Sequence, residues 1–569
     1  DTGQVVRDGD HWRANSSIGD AGIPETLAGV LSARIDRLPE ATKLVAQTAA
    51  VIGRVFQHRV LETVCMTAGL ADRVDHLEPH IATLNYEQLV RERARDPERE
   101  YIFKHALTCE AAYGLLLRSR RKELHARTGT ALETLFADRR EEFAAMLAHH
   151  FFEAGDLERA LTYSQKAAVS ARRLFAVREE LQHRERVLSI LDRKVDSTAV
   201  DLIDAVNEWT FVRHRLAQYD GVIERLEGAI AAAREINDRS RLALSLSWLA
   251  STHTVMGWPS RSMESLRESQ QLAADLGNDQ LLLLPLFFGT WSAVDRDPAA
   301  AVEQLREVIE LARKFDVIDV EGHAIAYRAV ALARIGDFAA ARSQIEEALD
   351  VASRTASPVK RADIHIAVGE AYHDMGELDS GRYHAQHGAE LAERANGLEC
   401  ACAGHFGVGK VLLDQHQLDE ARREFKHSLR LSELSGYEGF VNAINGELAL
   451  VEFEEGSTTA VGRMRYAVEN ARSLGDAYAT AVMSQHLAGA LVKLGQYAEA
   501  QASLDTALDH FRSAGMRPSI ANALELAAII SERTGEADIA ARQRAEAAEV
   551  RVSMSPMRLE VSVPTEARV

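Results

Sequence analysis

Most of this chain is built from a unit that reads Val368-Gly-Glu-Ala-Tyr-His-Asp-Met-Gly-Glu-Leu-Asp-Ser-Gly381. A near-copy reads Ala488-Gly-Ala-Leu-Val-Lys-Leu-Gly-Gln-Tyr-Ala-Glu-Ala500. Each stretch is typical of the end of one helix, a tight turn at Gly376 or Gly495, and the start of a second helix. The unit therefore predicts a pair of helices joined by a tight turn.

A small or β-branched residue follows each such turn and recurs along the chain. These anchor residues are Val222, Ser262, Ala301, Ala341, Gly381, Ala421, Ala460, Ala500 and Ala540. Their intervals are 40, 39, 40, 40, 40, 39, 40 and 40, which is too regular for chance. A fixed period of this kind is typical of a solenoid, in which each helix pair buries its apolar side only against its neighbours. The pattern predicts an all-α solenoid and a binding surface, not a catalytic centre.

Length and composition narrow the class of protein. At 569 residues the chain exceeds a single compact core, so several domains or a repeat array are expected. The net charge of −19 argues against sequence-independent binding to nucleic acid, which needs clustered Lys and Arg. Four cysteines are too few for a disulfide framework and favour a reducing, cytoplasmic environment. The longest apolar run, from Leu281 to Phe288, is too short to span a membrane.

The N-terminal part differs from the array. Residues 1–22 have no clear helical or strand period, and no signal peptide opens the chain, so we interpret it as a fragment that has lost its natural N-terminal part. Apolar spacing then predicts helices, and Gly53-Arg-Val-Phe56 closes the second of them. These helices cover 23–38, 40–52, 58–65, 74–84, 104–113 and 115–135.

A strand–turn–strand signal follows the first four helices. It runs from Gln88 to Arg93, turns around Pro97, and returns from Glu100 to Phe103. Helices followed by a two-stranded ribbon are typical of a winged helix, which either binds DNA or packs inside a larger protein. Acidic residues offset the arginines of the wing, which argues against DNA readout. The basic run from Arg118 to Arg127 is interpreted as a solvated helix face or a surface for an acidic neighbouring domain.

The repeat units resemble tetratricopeptide repeats. Gly369, Tyr372, Gly381 and Gly388 hold places where that motif has small and aromatic residues, and Gly409, Ala421 and Phe425 do the same in the next unit. The resemblance begins near Glu141, where Gly155 already precedes Ala160 by five residues, and ends near Glu549. The period near 40 departs from the usual tetratricopeptide period of about 34 and implies longer helices or loops.

A second resemblance covers the N-terminal part. The motifs that carry it are Ile23-Pro-Glu-Thr-Leu27, Arg34-Ile-Asp-Arg-Leu38, Ala49-Ala-Val-Ile-Gly-Arg-Val-Phe56, Tyr101-Ile-Phe-Lys-His-Ala106 and Arg120-Arg-Lys-Glu-Leu-His125. In this order they resemble bacterial STAND-type signalling ATPases, in which a winged helix and a repeat array follow a nucleotide-binding domain. Some of these resemble class III adenylate or guanylate cyclases, and others are transcriptional activators with a terminal helix-turn-helix. No helix-turn-helix follows the repeats here, which favours the cyclase-linked group.

The resemblance implies a division of the chain. Residues 1–38 would be the tail of a missing nucleotide-binding domain, 39–137 a winged-helix-like domain, 138–195 the first helix pairs, 196–550 the solenoid, and 551–569 a flexible tail. ATP and magnesium would belong to the missing upstream domains, so no cofactor is expected in this chain. The expected partners are the upstream ATPase domain and a protein or peptide on the concave face of the repeats, not a membrane and not nucleic acid.

Four motifs are interpreted as structural. Gly404-His-Phe-Gly-Val-Gly-Lys410 has the spacing of a phosphate-binding loop, but Val411 replaces the required Ser or Thr and the stretch lies in a predicted repeat helix. Cys400 and Cys402 point apart on a helix and are interpreted as buried thiols, not as metal ligands with His405. The same interpretation applies to His373, His384 and His387, and to His149-His150-x-x-Glu153, so no metal site and no catalytic set is predicted.

His105 is the one candidate site residue. In STAND proteins a histidine of the winged helix approaches the phosphates of the nucleotide, and the resemblance implies that role for His105; packing or capping inside the domain is the alternative. The functional hypothesis is a non-catalytic regulatory and protein-interaction segment of a signalling ATPase or nucleotide cyclase. The alternatives are a STAND-class transcription regulator and a stand-alone repeat adaptor.

Overall fold

The computed structural model describes residues 5–8, 11–14, 25–67, 76–194 and 196–554. The chain divides into two compact units, Asp1–Ser197 and Thr198–Val569. Residues 23, 24, 74 and 75 of the predicted helices lie outside the described residues, as does the predicted flexible tail after residue 554.

The first unit combines helices with short strands. Its elements are β1 (Val5–Asp8), β2 (His11–Ala14), α1 (Glu25–Asp36), α2 (Glu40–Ile52), β3 (Val55–Gln57), α3 (His58–Thr67), α4 (Leu77–Tyr86), β4 (Val90–Ala94), β5 (Glu100–Phe103), α5 (Ala106–Gly114), α6 (Arg118–Leu135), α7 (Ala144–Ala154), α8 (Leu157–Arg173) and α9 (Val177–Leu191). The predicted helices and the predicted ribbon of two strands are present, with boundaries shifted by a few residues.

Two strand pairings differ from the sequence prediction. β1 and β2 pair antiparallel in a stretch for which no strand was predicted. Each strand has only four residues, which is too short for an alternating pattern to be recognised in the sequence. β3 was predicted as the close of a helix, but it pairs with β5 and completes a three-stranded sheet in the order β3-β5-β4. Burial drives this pairing, since Phe56 is buried and its ring lies 5.6 Å from that of Phe103.

One apolar core joins the helices of this unit. It extends from Ile35 to Ile190, and its largest fully buried side chains include Phe103, Leu124 and Phe151. The predicted early repeat turn is present between α7 and α8, where Gly155 adopts a left-handed φ of 82° and Ala160 is fully buried.

The second unit is a row of helix pairs. Its helices are α10 (Ala199–Arg215), α11 (Val222–Glu235), α12 (Arg239–Val255), α13 (Pro259–Asp275), α14 (Asp279–Arg296), α15 (Pro298–Lys314), α16 (Ile318–Arg334), α17 (Phe338–Arg354), α18 (Pro358–Asp374), α19 (Leu378–Arg394), α20 (Leu398–Asp414), α21 (Leu418–Ser435), α22 (Val441–Glu454), α23 (Ala460–Leu474), α24 (Ala477–Lys493), α25 (Tyr497–Ser513), α26 (Arg517–Arg533) and α27 (Ala537–Ser553). Within residues 198–554 they form nine consecutive pairs, α10 with α11 through α26 with α27. The predicted all-α solenoid is confirmed.

Helix length accounts for the unusual period. α18, α19 and α20 each contain 17 residues, and three-residue connections separate them. The middle residue of each connection is left-handed, with φ of 79° at Gly376, 57° at Asn396 and 57° at His416. Two such helices with their two connections give the period of 40. The extra length relative to tetratricopeptide repeats therefore lies in the helices, and the loops stay tight.

The anchor residues hold the two helices of a pair together. All nine are buried. At Gly369 a Cβ atom would lie 2.7 Å from the backbone nitrogen of Ala385, and at Gly381 it would lie 3.1 Å from the backbone oxygen of Gly369. Backbone therefore packs against backbone at these positions, and a larger side chain would force the helices apart.

Two glycines of α20 provide a matched test of this packing. A Cβ atom at Gly404 would lie 2.9 Å from the Cα of Ala389, whereas one at Gly407 would make only an ordinary contact at 3.5 Å. We expect Gly404→Ala to lower the free energy of unfolding by about 1–2 kcal/mol, because overpacking outweighs the higher helix propensity of alanine. Gly407→Ala should raise it by about 0.5–1 kcal/mol. Urea unfolding followed by circular dichroism measures both, and equal effects of the two variants would contradict this packing.

Candidate functional site

The first helix of each pair lines the concave side of the array. Successive first helices, such as α16 and α18, pack directly against each other, whereas second helices pack mainly against first helices. In a curved stack of helices, the helices that approach each other most closely lie on the concave side. Ligands of such arrays bind on this side, so its polar side chains define the candidate site.

Arg334, the last residue of α16, is the centre of a charged group on this side. Its guanidinium donates to Asp295 at 2.5 Å, to Glu370 at 2.6 Å and to Asp374 at 3.1 Å. Its carbon Cζ also lies 4.4 Å from the centre of the Tyr478 ring. Only 6% of the Arg334 side chain is exposed. These five residues are called the inner cluster below.

The inner cluster lies where the array meets itself. α14 packs against α24, and α16 packs against α26, although four helix pairs lie between the members of each contact. Arg334 and Tyr478 contact each other across this junction, and Nε2 of His510 lies 3.3 Å from the backbone oxygen of Asp295. Charged and aromatic side chains therefore take part in joining helix pairs that are distant in the sequence.

Negative charge exceeds positive charge in the inner cluster. Burial would lower the pKa of Arg334, but Tyr478 and the three carboxylates raise it well above its ordinary value, so the guanidinium stays charged. Burial raises the pKa of Asp295 to about 6, although Arg334 opposes this shift. One guanidinium is thus shared by three carboxylates, and Lys410 beside them supplies a second positive charge.

Lys410 of α20 lies beside the inner cluster. Burial would lower its pKa, but Tyr478 and the carboxylates of Asp374, Glu370 and Glu447 raise it above the usual range. Among the described side chains, none places a carboxylate within ion-pair distance of this ammonium. Lys410 is therefore a charged donor that an anionic ligand group could reach.

A second long-range contact involves Glu399. The hydroxyl of Tyr219, in the connection between α10 and α11, donates to the carboxylate of Glu399 at the start of α20, 180 positions away. Burial raises the pKa of Glu399 to about 8. Protonation of this carboxyl near neutral pH is therefore coupled to contact between distant helix pairs.

The sequence analysis did not single out Asp295, Arg334, Tyr478 or Glu399. The residues that they contact lie from about one repeat period of 40 residues to several periods away in the sequence. No local motif marks any of the four. One signal was present: Arg334 and Asp374 have opposite charges and are 40 positions apart, as are His323 and Asp363. Opposite charges one period apart on first helices therefore predict contacts between neighbouring pairs.

The phosphate-loop match is a helix, as predicted. Gly404 to Lys410 lies wholly inside α20. Its backbone N–H groups are used in helical hydrogen bonds and cannot surround a phosphate. Gly409 faces the ring of Phe425, where a Cβ atom would lie 2.6 Å from a ring carbon. The glycines thus serve helix packing.

Of the two cysteines predicted as buried thiols, Cys402 is buried and Cys400 is only partly buried. Cys402 is fully buried, and its Sγ lies 3.4 Å from the hydroxyl of Ser428. Burial raises the pKa of Cys402 to about 11 and that of Cys65 to about 12, so neither forms a thiolate at neutral pH. His405 lies instead between Glu393 and Glu424.

The remaining histidines named in the sequence analysis take part in local networks. Nε2 of His373 lies 2.8 Å from a carboxylate oxygen of Asp414, and this carboxylate and that of Asp374 raise the pKa of His373 against the effect of burial. His384 stacks on His365, and the Nδ1 atoms of the two rings lie 3.1 Å apart. His387 meets His365 edge-on.

His149 and His150 do not form a zinc-protease pair with Glu153. Nδ1 of His150 lies 2.9 Å from Nδ1 of His125, a residue that the sequence analysis did not connect with them. Nε2 of His125 lies 3.1 Å from the Tyr113 hydroxyl. Burial lowers the pKa of all three histidines, to about 4 for His125, so they are neutral at physiological pH.

His105, the predicted nucleotide-sensing residue, is exposed at the N-terminus of α5, directly after β5. Its backbone is extended and its side chain makes no capping hydrogen bond to the helix. His105 therefore does not cap α5 through its side chain. Its role towards a nucleotide stays a prediction.

Glutamates pair with three of the four arginines of the predicted wing. Arg93 pairs with Glu100 at 3.2 Å, Arg99 pairs with Glu78 at 3.0 Å, and Arg95 pairs with Glu92. A phosphate would have to displace these carboxylates, which are offered by the wing and the adjacent helix.

Known proteins were compared with the chain. No protein-family model matches it, and no curated protein sequence is significantly similar to it. Among solved structures, it is similar to a Signal Transduction ATPase with Numerous Domains (STAND) protein with a tetratricopeptide repeat sensor from Pyrococcus horikoshii, with 14% identity over 79% of this chain and 65% of that chain, and a TM-score of 0.40. It spans less than two thirds of that protein.

Two further solved structures match most of their own length. One is a Rap protein complexed with Competence and Sporulation Factor, with 12% identity over 62% of this chain and 98% of that one, and a TM-score of 0.47. The other is the apo form of the quorum sensor NprR from B. thuringiensis, with 13% identity over 63% and 99%, and a TM-score of 0.38. None of the described helices combines the length and apolarity that crossing a bilayer requires.

The helical state of the phosphate-loop match predicts the behaviour towards ATP. The purified chain should neither bind ATP with measurable affinity nor hydrolyse it, because Gly404 to Lys410 offers no free backbone N–H groups. Isothermal titration with Mg-ATP and a phosphate-release assay test this. Turnover that depends on magnesium and disappears in Lys410→Ala would contradict it.

The buried carboxyl of Glu399 predicts a dependence of stability on pH. Its pKa is about 8 in the folded chain and ordinarily 4.5, so the unfolded chain loses this proton first and stability is lost as the pH rises from about 4.5 to 8. Glu399→Gln should match the wild type in thermal stability near pH 4.5 and exceed it at pH 8.5. Exposed Glu390→Gln is the control and should show no such divergence. A difference that is independent of pH would count against the shift.

Proposed function

We propose that this chain is a non-catalytic regulatory and protein-interaction segment of a multidomain signalling protein, and that its array binds a protein or peptide on the concave side. The inner cluster is the observation that carries this proposal. Its charged contacts join helix pairs that are far apart in the sequence. A ligand that competes for these charged groups would change the spacing of the array at that point.

The charges of the site suit a peptide or protein ligand. Asp295, Glu370 and Asp374 share one guanidinium and can accept a basic side chain of the ligand, while Lys410 can donate to a carboxylate or a C-terminus. A polypeptide carries both kinds of group at spacings of several ångströms. Binding would exchange contacts within the array for contacts with the ligand, so the array would act as a sensor with two states.

We further propose that the parent protein is a STAND-type ATPase of the cyclase-linked group. The ordered motifs between Ile23 and His125 support this, and the helices of the first unit with the antiparallel strands β4 and β5 suit a winged helix. His105 would report the state of the nucleotide in the upstream domain, with ATP and magnesium bound there. Its exposure and uncapped side chain suit such a contact.

The two alternative functions predict different gene sequences upstream of codon 1. A transcription regulator would carry a DNA-binding domain upstream, or would bind DNA through Arg91 and Arg93 of the wing. A stand-alone adaptor would begin close to Asp1. The gene sequence upstream of codon 1 separates them: a Gly-x4-Gly-Lys-Ser/Thr motif preceded by paired metal-binding aspartates supports the cyclase-linked ATPase.

Removing Arg334 tests the sensor mechanism. Arg334→Ala leaves three carboxylates without their cation, and loss of one partner of a buried ion pair costs about 3–5 kcal/mol. Hydrogen exchange should therefore accelerate in α14, α16 and α24. Arg306→Ala is the control, because its ion pairs with Glu303 and Glu310 are exposed and contribute about 0–1 kcal/mol.

The same two variants test the function in the full-length natural protein. Arg334→Ala should change nucleotide turnover by the upstream domain several-fold, and Arg306→Ala should leave it at the wild-type rate. Unchanged turnover in Arg334→Ala, despite accelerated hydrogen exchange, would overturn the role of the inner cluster in signalling.

A further inference from the structure

Two histidines and one glutamate converge between three consecutive helices of the array. Glu393 of α19 accepts from Nε2 of His427 on α21 at 2.7 Å, and Nε2 of His405 on α20 lies 3.4 Å from the same oxygen. The three ligand atoms all lie within 4.8 Å of one another. Three consecutive helices thus direct two imidazole nitrogens and one carboxylate towards one point.

The hydrogen bonds of His405 determine what this point requires. Its Nδ1 lies 2.6 Å from Glu424, so Nδ1 carries a proton and donates it to that carboxylate. Nε2 is buried and has no hydrogen-bond partner among the described residues. In the neutral ring with its proton on Nδ1, the Nε2 lone pair faces the Glu393 oxygen, and a cation near both acceptors would remove their mutual repulsion. A carboxylate on the outer nitrogen is also the usual support of a metal-binding histidine.

Ion pairs at equivalent positions elsewhere in the array differ from this group. Arg234 pairs with Glu268, Arg313 with Glu347, and Arg512 with Glu546; each arginine lies twelve residues after an anchor and each glutamate six residues after the next. Glu393 and His427 occupy these two places with the charges reversed. A protonated His427 would make an ordinary ion pair with Glu393, but it would leave the buried Nε2 of His405 without a hydrogen bond. The orphaned nitrogen of His405 favours a metal ion.

We propose that Glu393, His405 and His427 form a binding site for a divalent transition-metal ion such as Zn²⁺, which would clamp α19, α20 and α21 together. Two imidazoles and one carboxylate suit Zn²⁺ or Co²⁺, whereas Mg²⁺ and Ca²⁺ prefer oxygen ligands. Three protein ligands leave one position of a tetrahedral ion for water or for a side chain of a partner. The site lies on consecutive helices, so it requires no rearrangement of the array.

Arg430 opposes the metal in the metal-free chain. Its guanidinium donates to Nδ1 of His427 at 3.1 Å, so Nε2 of that ring carries the proton that is donated to Glu393. Metal binding transfers this proton to Nδ1 and turns Arg430 away into solvent, which its exposed position allows. Arg430→Ala should therefore strengthen metal binding.

Cobalt titration of the tag-free full chain tests the proposal. Co²⁺ should produce visible absorption typical of four-coordination, Zn²⁺ should displace it, and Zn²⁺ should raise the thermal midpoint. Glu393→Gln and His427→Ala should each weaken metal binding at least about tenfold, because each variant loses a ligand. If either variant folds poorly, His405→Gln removes the third ligand with a side chain of similar size and should weaken binding in the same way. Glu390→Gln, on the same helix but outside the group, is the matched control.

The outcomes are distinct. Affinities equal to the wild type in both Glu393→Gln and His427→Ala would overturn the site. A response that His149→Ala removes and His427→Ala leaves would assign the metal to His125, His149 and His150, and would also overturn it. Tighter binding in Arg430→Ala together with loss in His427→Ala would establish it.

Discussion

The close approach of backbones within each helix pair is the constraint on which the rest of the array depends. At Gly369 and Gly381 the two helices of one pair lie so near that a Cβ atom on either would contact backbone atoms of the other. This fixes where along its length each helix crosses its partner. Since helices of 17 residues and connections of three residues recur, every pair repeats the same crossing, and the small differences between the two sides of a pair accumulate as curvature.

Curvature brings the array into contact with itself, and there the chemistry changes from apolar to charged. An apolar contact would stabilise this junction at least as well, because a buried ion pair gains little over well-packed hydrophobic side chains. Met554 makes such a contact beside Gly336. Under the proposed function, Arg334 with its three carboxylates serves exchange more than stability, because charged groups can transfer their partners to an incoming polypeptide without exposing apolar surface.

Local signals predicted the helices and their order well. The turn glycines, the anchors and the apolar spacing specify each pair from residues close in the sequence, and the helical state of Gly404 to Lys410 followed from the same spacing. The short strands β1, β2 and β3 were not predicted, because three or four residues contain too few positions for a period. β5 is as short, but the turn around Pro97 marks it together with β4. β3 forms because Phe56 is buried against Phe103, a contact across 47 positions that no window could contain.

The candidate site was harder to predict for a related reason. Arg334 and Asp374 belong to neighbouring pairs, but the contact between Arg334 and Tyr478 depends on how much curvature accumulates over five pairs. Small differences at every crossing determine that curvature.

Contacts between neighbouring pairs are easier to predict, because the period of the repeat fixes them. Where consecutive second helices share the common geometry, the residue twelve positions after one anchor meets the residue six positions after the next anchor. Three of these contacts are Arg–Glu ion pairs. Against that regular background, the reversal at Glu393 and His427 and the convergence of His405 on the same oxygen are not required by the fold. A departure from the repeat at a position where the fold already provides an ion pair is best explained by a further ligand, and the donor set specifies a metal ion.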